Sequence, residues 1–178
     1  MCIRDSFIDT LEKKFCRREH IKIGAHKFRI KSVKKFKLSH GDYWYTATPV
    51  VLYRDNRKNL YFNFRKTPDI EFFVNRIREN AMKKYEIYHN KKISVPDPLF
   101  DFFEFKKTVA PVIKRGPQKF IFIGTVGLFK LPKIRSRRVR EFYEFIMDCG
   151  LGEKNSMGFG FINPVSKDAR RNYMEKNG

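Results

Sequence analysis

Cysteine is scarce in this chain of 178 residues: Cys2, Cys16 and Cys149 are the only three. An odd number at those spacings makes neither a disulfide framework nor a zinc site, so they read as reduced thiols in a cytoplasmic protein. Acidic residues are also few. Nineteen Asp and Glu stand against 39 Lys and Arg, a formal net charge of +20. The carboxylates show neither a catalytic pairing nor a metal-ligand spacing, and no metal or cofactor is expected. Of the four histidines, His20, His26, His40 and His89, none has a partner that the sequence places beside it. Each is expected to face solvent rather than to serve as an acid or base. No apolar run approaches the roughly 20 residues of a membrane span, and the N-terminus has no apolar signal region. A membrane partner is therefore not expected.

Hydrophobic residues make up 42% of the chain and aromatics 16%, enough for a folded domain with its own core. Positive charge is the feature in excess. It repels itself unless an anion neutralises it, and nucleic acid is the leading partner. The alternative is charge spread over a solvated surface with no ligand.

Periodicity sets the expected elements. "DSFIDTLEKKFCRR" reads as a short amphipathic helix, and "IKIGAHKFRIKSVKKFKL" as one long basic strand with a phase change near Ser32. "YWYTATPVVLYRD" is a strand broken near Pro49. A helix follows, with Thr67 as N-cap, Pro68 in the first position and a buried stripe of Ile70, Phe73, Val74, Ile77, Ala81 and Tyr85. "LFDFFEFKKTVAPVIK" and "KFIFIGTVGLFKL" form a long hairpin about Arg115–Gln118. A helix capped by Ser136 turns Val139, Phe142, Tyr143 and Ile146 inward and stops at Gly150, and "MGFGFIN" supplies the last strand.

From Tyr43 the order is strand, helix, strand, strand, helix, strand. This is an α+β, ferredoxin-like (RRM-like) βαββαβ unit. The expected division is residues 1–40 as the last helix and strand of a preceding unit of the same kind, residues 41–164 as the complete unit, and residues 165–178 as a polar tail.

The stretch "CGLGEKNSMGFGF" carries the chemistry. It is not a P-loop, because Lys154 is flanked by Glu153 and Asn155 and follows a helix rather than opening one. It is not a dinucleotide fingerprint either, since the third glycine position is occupied by Asn155. What remains is a glycine-rich turn from a helix to a strand, with backbone N–H groups and one lysine offered to an anion.

On these residues the chain resembles the CRISPR-associated Cas6 endoribonucleases of the repeat-associated mysterious protein superfamily, which cut CRISPR precursor RNA within its repeats. "GLGEKNSMGFGFI" resembles their C-terminal glycine-rich motif and "FKLSHGDYWYTATPVVLYR" the join between their two ferredoxin-like units. "RGPQKFIFIGTVGLFKL" stands where their hairpin stands, and the likeness runs from about Ile21 to Asn163. It implies metal-independent cleavage by attack of a ribose 2′-OH on the adjacent phosphate, with CRISPR repeat RNA as partner and other CRISPR-associated proteins or a second copy as further partners. In the family the acid and base lie early in the first unit. "MCIRDS" matches no family element, so the catalytic residues are expected upstream of Met1, in a part this chain lacks. A non-catalytic RNA-binding subunit of the same superfamily, or a generic basic RNA-binding ferredoxin-like module, stays open beside the enzyme.

The resemblance makes Gly150, Gly152, Lys154, Asn155, Ser156, Gly158 and Gly160 candidates for phosphate contact. It adds Arg115 and Lys119 at the hairpin, and Lys130, Lys133, Arg135, Arg137 and Arg138 from "KLPKIRSRRVR". That last run has six cations in eleven residues, and arginines in a helix's first turn oppose its dipole unless an anion is present. The strand "KFIFIGTVGLFK" does not match the base-stacking motif of RNA-recognition modules. Phe100, Phe102, Phe103, Phe105, Phe120 and Phe122 are therefore expected in the core.

Overall fold

The computed structural model describes residue 13, residues 20–29 and residues 43–165. The chain divides into two compact units, residues 1–37 and 38–178. In the first, β1 (Ile21–Ile23) and β2 (His26–Phe28) form an antiparallel hairpin. Gly24 turns it at φ +60°, a conformation that costs glycine little. The long strand expected from Ile21 onward is thus folded back on itself over its first eight residues. Of the amphipathic helix expected before it only Lys13 is described, and it is helical; the rest of that helix, Ser32, His40 and the tail after Val165 lie outside the described residues.

The second unit carries the sheet. β3 (Tyr43–Thr46) and β4 (Val50–Val51) are two pieces of one strand, separated at Pro49 as the sequence suggests. Both pair antiparallel with β10 (Gly124–Lys130), with Tyr43 opposite Lys130 and Val51 opposite Gly124. β7 (Phe102–Val109) lines the other side of β10, and β11 (Ile162–Val165) lies on the outer side of β3. The order β11, β3 with β4, β10, β7 puts the first and third strands of the βαββαβ unit in the middle. That is the ferredoxin-like arrangement.

Two small hairpins project from this sheet. β5 (Tyr53–Asp55) pairs with β6 (Leu60–Tyr61), and β8 (Val112–Arg115) with β9 (Gln118–Ile121) beyond the ends of β7 and β10. The long hairpin is therefore two stacked pieces, the inner one in the sheet and the outer one free of it.

Helix α1 (Ile70–His89) and helix α2 (Arg137–Cys149) cover the sheet, and the core lies between. Trp44 is fully buried edge-on to Tyr143 and Phe100, and Phe73 and Phe129 meet across the sheet–helix contact. Phe73, Ile77, Ala81 and Tyr85 form the inward stripe of α1 as expected, whereas Ile70 is exposed and Val74 half-buried. Asp69, not Thr67, is the N-cap of α1: its carboxylate accepts from the Phe72 amide at 2.8 Å. The Thr67 hydroxyl instead accepts from Arg54. Ser136 caps α2 as the sequence predicts, accepting from the Val139 amide.

The phenylalanines divide. Phe100 and Phe122 are buried and Phe103 packs against the core, but Phe102, Phe105 and Phe120 are exposed. Phe102 points to the face of edge strand β7 away from the helices, and Phe120 stands on β9 outside the sheet, while Phe105 shares the face of Phe103, its ring 4.8 Å from that of Phe64, and is only partly covered there. Among the described residues no helix is long and apolar enough to cross a membrane.

Candidate nucleic-acid interface

The glycine-rich loop begins where α2 ends. Gly150 stops the helix at φ +80°, and its amide donates to Ile146 O at 2.8 Å. The chain then runs alongside β4, where the Glu153 amide donates to Val51 O, turns through a short 3-10 helix at Asn155–Met157, and enters β11. Glycine is forced by packing at three points. A Cβ on Gly152 would meet Val51 O at 2.6 Å, one on Gly150 would meet Gly160 O at 2.9 Å, and one on Gly160 would meet Leu151 O at 1.9 Å. Gly158 is different: its φ is +85°, but a Cβ there would have no atom within 4 Å.

Much of the loop's hydrogen-bonding capacity is spent inside the protein. Leu151 N donates to Gly160 O, Gly160 N to Pro49 O, Met157 N to Lys154 O and Gly158 N to Asn155 O. The Asn155 amide bridges the loop from within, donating to Leu151 O at 3.0 Å and Phe159 O at 2.9 Å. Gly150, Gly152, Gly160 and Asn155 thus shape the loop. Lys154, Ser156 and Gly158 make up its outer turn, with Lys154 itself in the left-handed region at φ +61°. The Lys154 ammonium lies 5.5 Å from the centre of the Tyr53 ring, which is stacked on Tyr61. Burial, and then the hydrogen bond shared with Tyr53, push the Tyr61 phenol up to about 12.

Helix α1 supplies residues that the sequence reading did not single out. Lys84 reaches the loop from below, donating to Gly150 O at 3.2 Å and to Gly152 O and Asn155 Oδ1 at 2.5 Å each. Two helical turns earlier on α1, Arg76 sits 3.6 Å from Glu153. Burial pushes the Glu153 carboxyl up, opposed by Arg76, Lys154 and Lys84. Burial likewise lowers Lys84, partly offset by Cys149 and Glu153, and raises the half-buried Cys149 thiol. The signal was present in the sequence: Arg76, Asn80 and Lys84 recur at four-residue spacing, one position before the buried Ile77, Ala81 and Tyr85. Long polar side chains beside an apolar stripe lie at the rim of the buried face.

The remaining candidates fall into two places. Arg115 and Lys119 lie opposite each other's neighbours at the tip of the β8–β9 hairpin, both exposed. This hairpin grows from the same sheet end as the loop. Val51, Phe122 and Phe159 pack together with Ile113 at its base, and an apolar cleft of about 450 Å³ opens there between Pro49, Pro111 and Phe159. Lys130, Lys133, Arg135, Arg137 and Arg138 are at the opposite end. The 13 residues of α2 separate them from Gly150, roughly 20 Å at the helical rise. There Arg137 pairs with Glu141 at 3.0 Å, Arg138 donates to Lys92 O at 2.7 Å, and Lys130 stands 3.9 Å from Asp101.

His20, His26 and His89 are exposed as expected. His89 packs against the rings of Tyr85 and Phe145.

Fold and loop together define a ferredoxin-like protein whose last helix-to-strand connection is a packed glycine-rich loop bearing an outward lysine. The family model for the C-terminal part of the CRISPR associated protein Cas6 matches residues 31–164, which include the whole loop and hairpin. A CRISPR-associated endoribonuclease Cas6 of Methanocaldococcus jannaschii is 37% identical over 175 residues, spanning 91% of this chain and 70% of that protein. Among solved structures, a CRISPR associated protein Cas6 aligns with a TM-score of 0.58 at 22% identity over 90% of this chain. A RAMP protein described as binding different RNA substrates aligns with a TM-score of 0.54 at 20% identity over 92%. The chain spans 64% of the length of each of these two solved relatives. This chain belongs to the Cas6 family, whose members process CRISPR precursor RNA.

Proposed function

We propose that this chain binds CRISPR repeat RNA and acts in the metal-independent cleavage of CRISPR precursor RNA, with the glycine-rich loop and the β8–β9 hairpin gripping the RNA backbone. The observation that carries the reading is the gathering of Lys154, Arg115 and Lys119 at one end of the sheet, two segments far apart in sequence. Cations placed this way neutralise phosphates in register with the RNA and release its counterions. Phosphate contacts fix orientation, and a loop already held in shape lowers the entropy cost of making them. In this reading the protein works in the cytoplasm, and residues 1–40 close a preceding ferredoxin-like unit. Association with other CRISPR-associated proteins or with a second copy would build on the same RNA.

Titration of a labelled repeat RNA with the full chain, in chelator and over a series of salt concentrations, tests it. Repeat RNA binds more tightly than an unrelated RNA of equal length. Lys154→Ala weakens binding and lowers the slope of log K against log salt by about one. Equal binding of the two RNAs at about 0.2 M salt would rule out repeat recognition and favour a generic basic RNA-binding module.

A further inference from the structure

Lys84 is a half-buried cation that the RNA-gripping role leaves without an explanation. Its three donors meet three acceptors of the loop, Gly150 O, Gly152 O and Asn155 Oδ1, which uses the full capacity of an ammonium. The Asn155 amide relays the attachment onward to Leu151 O and Phe159 O. One lysine and one amide therefore tie down the loop from Gly150 to Phe159, and the lysine comes from a helix 66 to 71 residues earlier in the chain.

All three acceptors of Lys84 are neutral. The nearby carboxylate, Glu153, is held by Arg76 at 3.6 Å. Partly burying a charge against neutral groups is unfavourable, but a neutral amide offers only two N–H donors on a shorter stem for these three acceptors. The ammonium is therefore the group that can hold all three at once.

We propose that Lys84 is a positioning residue for RNA binding: from beneath the glycine-rich loop it fixes the turn that presents Lys154 to an RNA phosphate, without touching RNA itself. This rests on the proposed RNA role of the loop. It makes the polar stripe of α1 part of the binding apparatus, since a displacement of α1 against α2 would move Lys154 through Lys84.

The test is a double-mutant cycle on labelled repeat RNA, with the full chain carrying Lys84→Met, Lys154→Ala or both, each checked for folding by thermal unfolding. Lys84→Met is expected to weaken binding on the order of tenfold and to lower the salt slope as Lys154→Ala does. The double variant should bind no worse than the weaker single one, since both remove the same contact. Lys84→Gln, which keeps a donor but no charge, serves as the second variant if Lys84→Met does not fold. It should give the same loss of salt slope at near-normal melting temperature. Additive losses in the cycle, or wild-type binding by folded Lys84→Met or Lys84→Gln, would overturn the proposal. Wild-type binding by Lys154→Ala would instead overturn the role of the loop.

Discussion

Alanine at position 160 measures how far packing dictates the glycine-rich loop. Gly160 has φ +72°, where a side chain costs about 1 kcal/mol before any collision. The added Cβ would also stand 1.9 Å from Leu151 O and 2.8 Å from Asn155 Nδ2. Carbon and carbonyl oxygen approach no closer than roughly 3.3 Å without strain, so the loop must open by more than about 1 Å. That opening strains two backbone hydrogen bonds, Leu151 N to Gly160 O and Gly160 N to Pro49 O, both 2.9 Å long. At about 1 kcal/mol each they bring the total loss to about 3 kcal/mol. For a chain of this size that is a fall in Tm of about 6–12 °C. Gly158→Ala is the control: its φ of +85° carries the same conformational cost, but no atom lies within 4 Å. Its Tm should fall by only about 2–4 °C. Calorimetry on both variants decides. If they melt together, the Leu151 carbonyl is not what excludes a side chain at position 160, and the account of the loop as a packed frame is wrong.

The capping of α1 gives a second contrast. Asp69→Ala should lower stability in urea unfolding by about 1 kcal/mol, and Thr67→Ala by less than about half of that; a larger effect at Thr67 would restore it as the cap. The third concerns Tyr61, whose phenol burial and the Tyr53 hydroxyl push up to about 12. A raised phenol pKa adds stability that is complete below the ordinary value near 10 and is lost as pH rises through about 12. The difference in 295 nm absorbance titration between the wild type and Tyr61→Phe should show no ionisation step near pH 10. Tyr53→Phe should move the step down; a normal Tyr61 titration would contradict the stacked, hydrogen-bonded pair.

The secondary structure was legible wherever one residue pattern had one physical solution. The inward stripes of both helices follow the 3.6-residue period, and Ser136 and Gly150 bracket α2 as their chemistry requires. Pro49 interrupts a strand because it has no amide for the ladder, and the structure puts its carbonyl to use against Gly160 N. Where two residues compete, sequence alone picks badly. Thr67 and Asp69 both suit an N-cap, and what decides is the contact of Thr67 with Arg54, 13 positions earlier. The hairpin at Gly24 was missed because apolar and basic residues alternate on both sides of it, so the period of two runs through the turn. Phe102, Phe105 and Phe120 show the opposite failure: hydrophobicity was read as burial, although Phe102 and Phe120 have no layer over them and Phe105, beside Phe64, is covered only in part at the sheet edge. Lys84 belongs to a third kind. Its type and spacing mark a rim position, but that the rim faces the loop is a fact of tertiary packing.

The separation of the basic residues changes which of them argue for RNA. Arginines in the first turn of α2 face an unfavourable dipole, which by itself favours an external anion there. Yet Glu141 stands 3.0 Å from Arg137, and the Lys92 carbonyl accepts from Arg138. Local acceptors already answer much of that cost, so the run from Lys130 to Arg138 is no longer evidence for a ligand by its charge alone. At the other end, Arg115 and Lys119 have no ion pair among the described residues. The half-buried Lys154 rests against an aromatic face, a contact of about 1 kcal/mol that still lets the ammonium meet a phosphate. Charge held ready, on a loop that is packed too closely at Gly150, Gly152 and Gly160 to admit a side chain, at the root of a projecting basic hairpin, is an arrangement that a merely solvated surface does not need. The RNA backbone is therefore expected to run along the loop and hairpin, with the arginines of α2 about 20 Å away touching it only if the RNA extends past that end of the sheet.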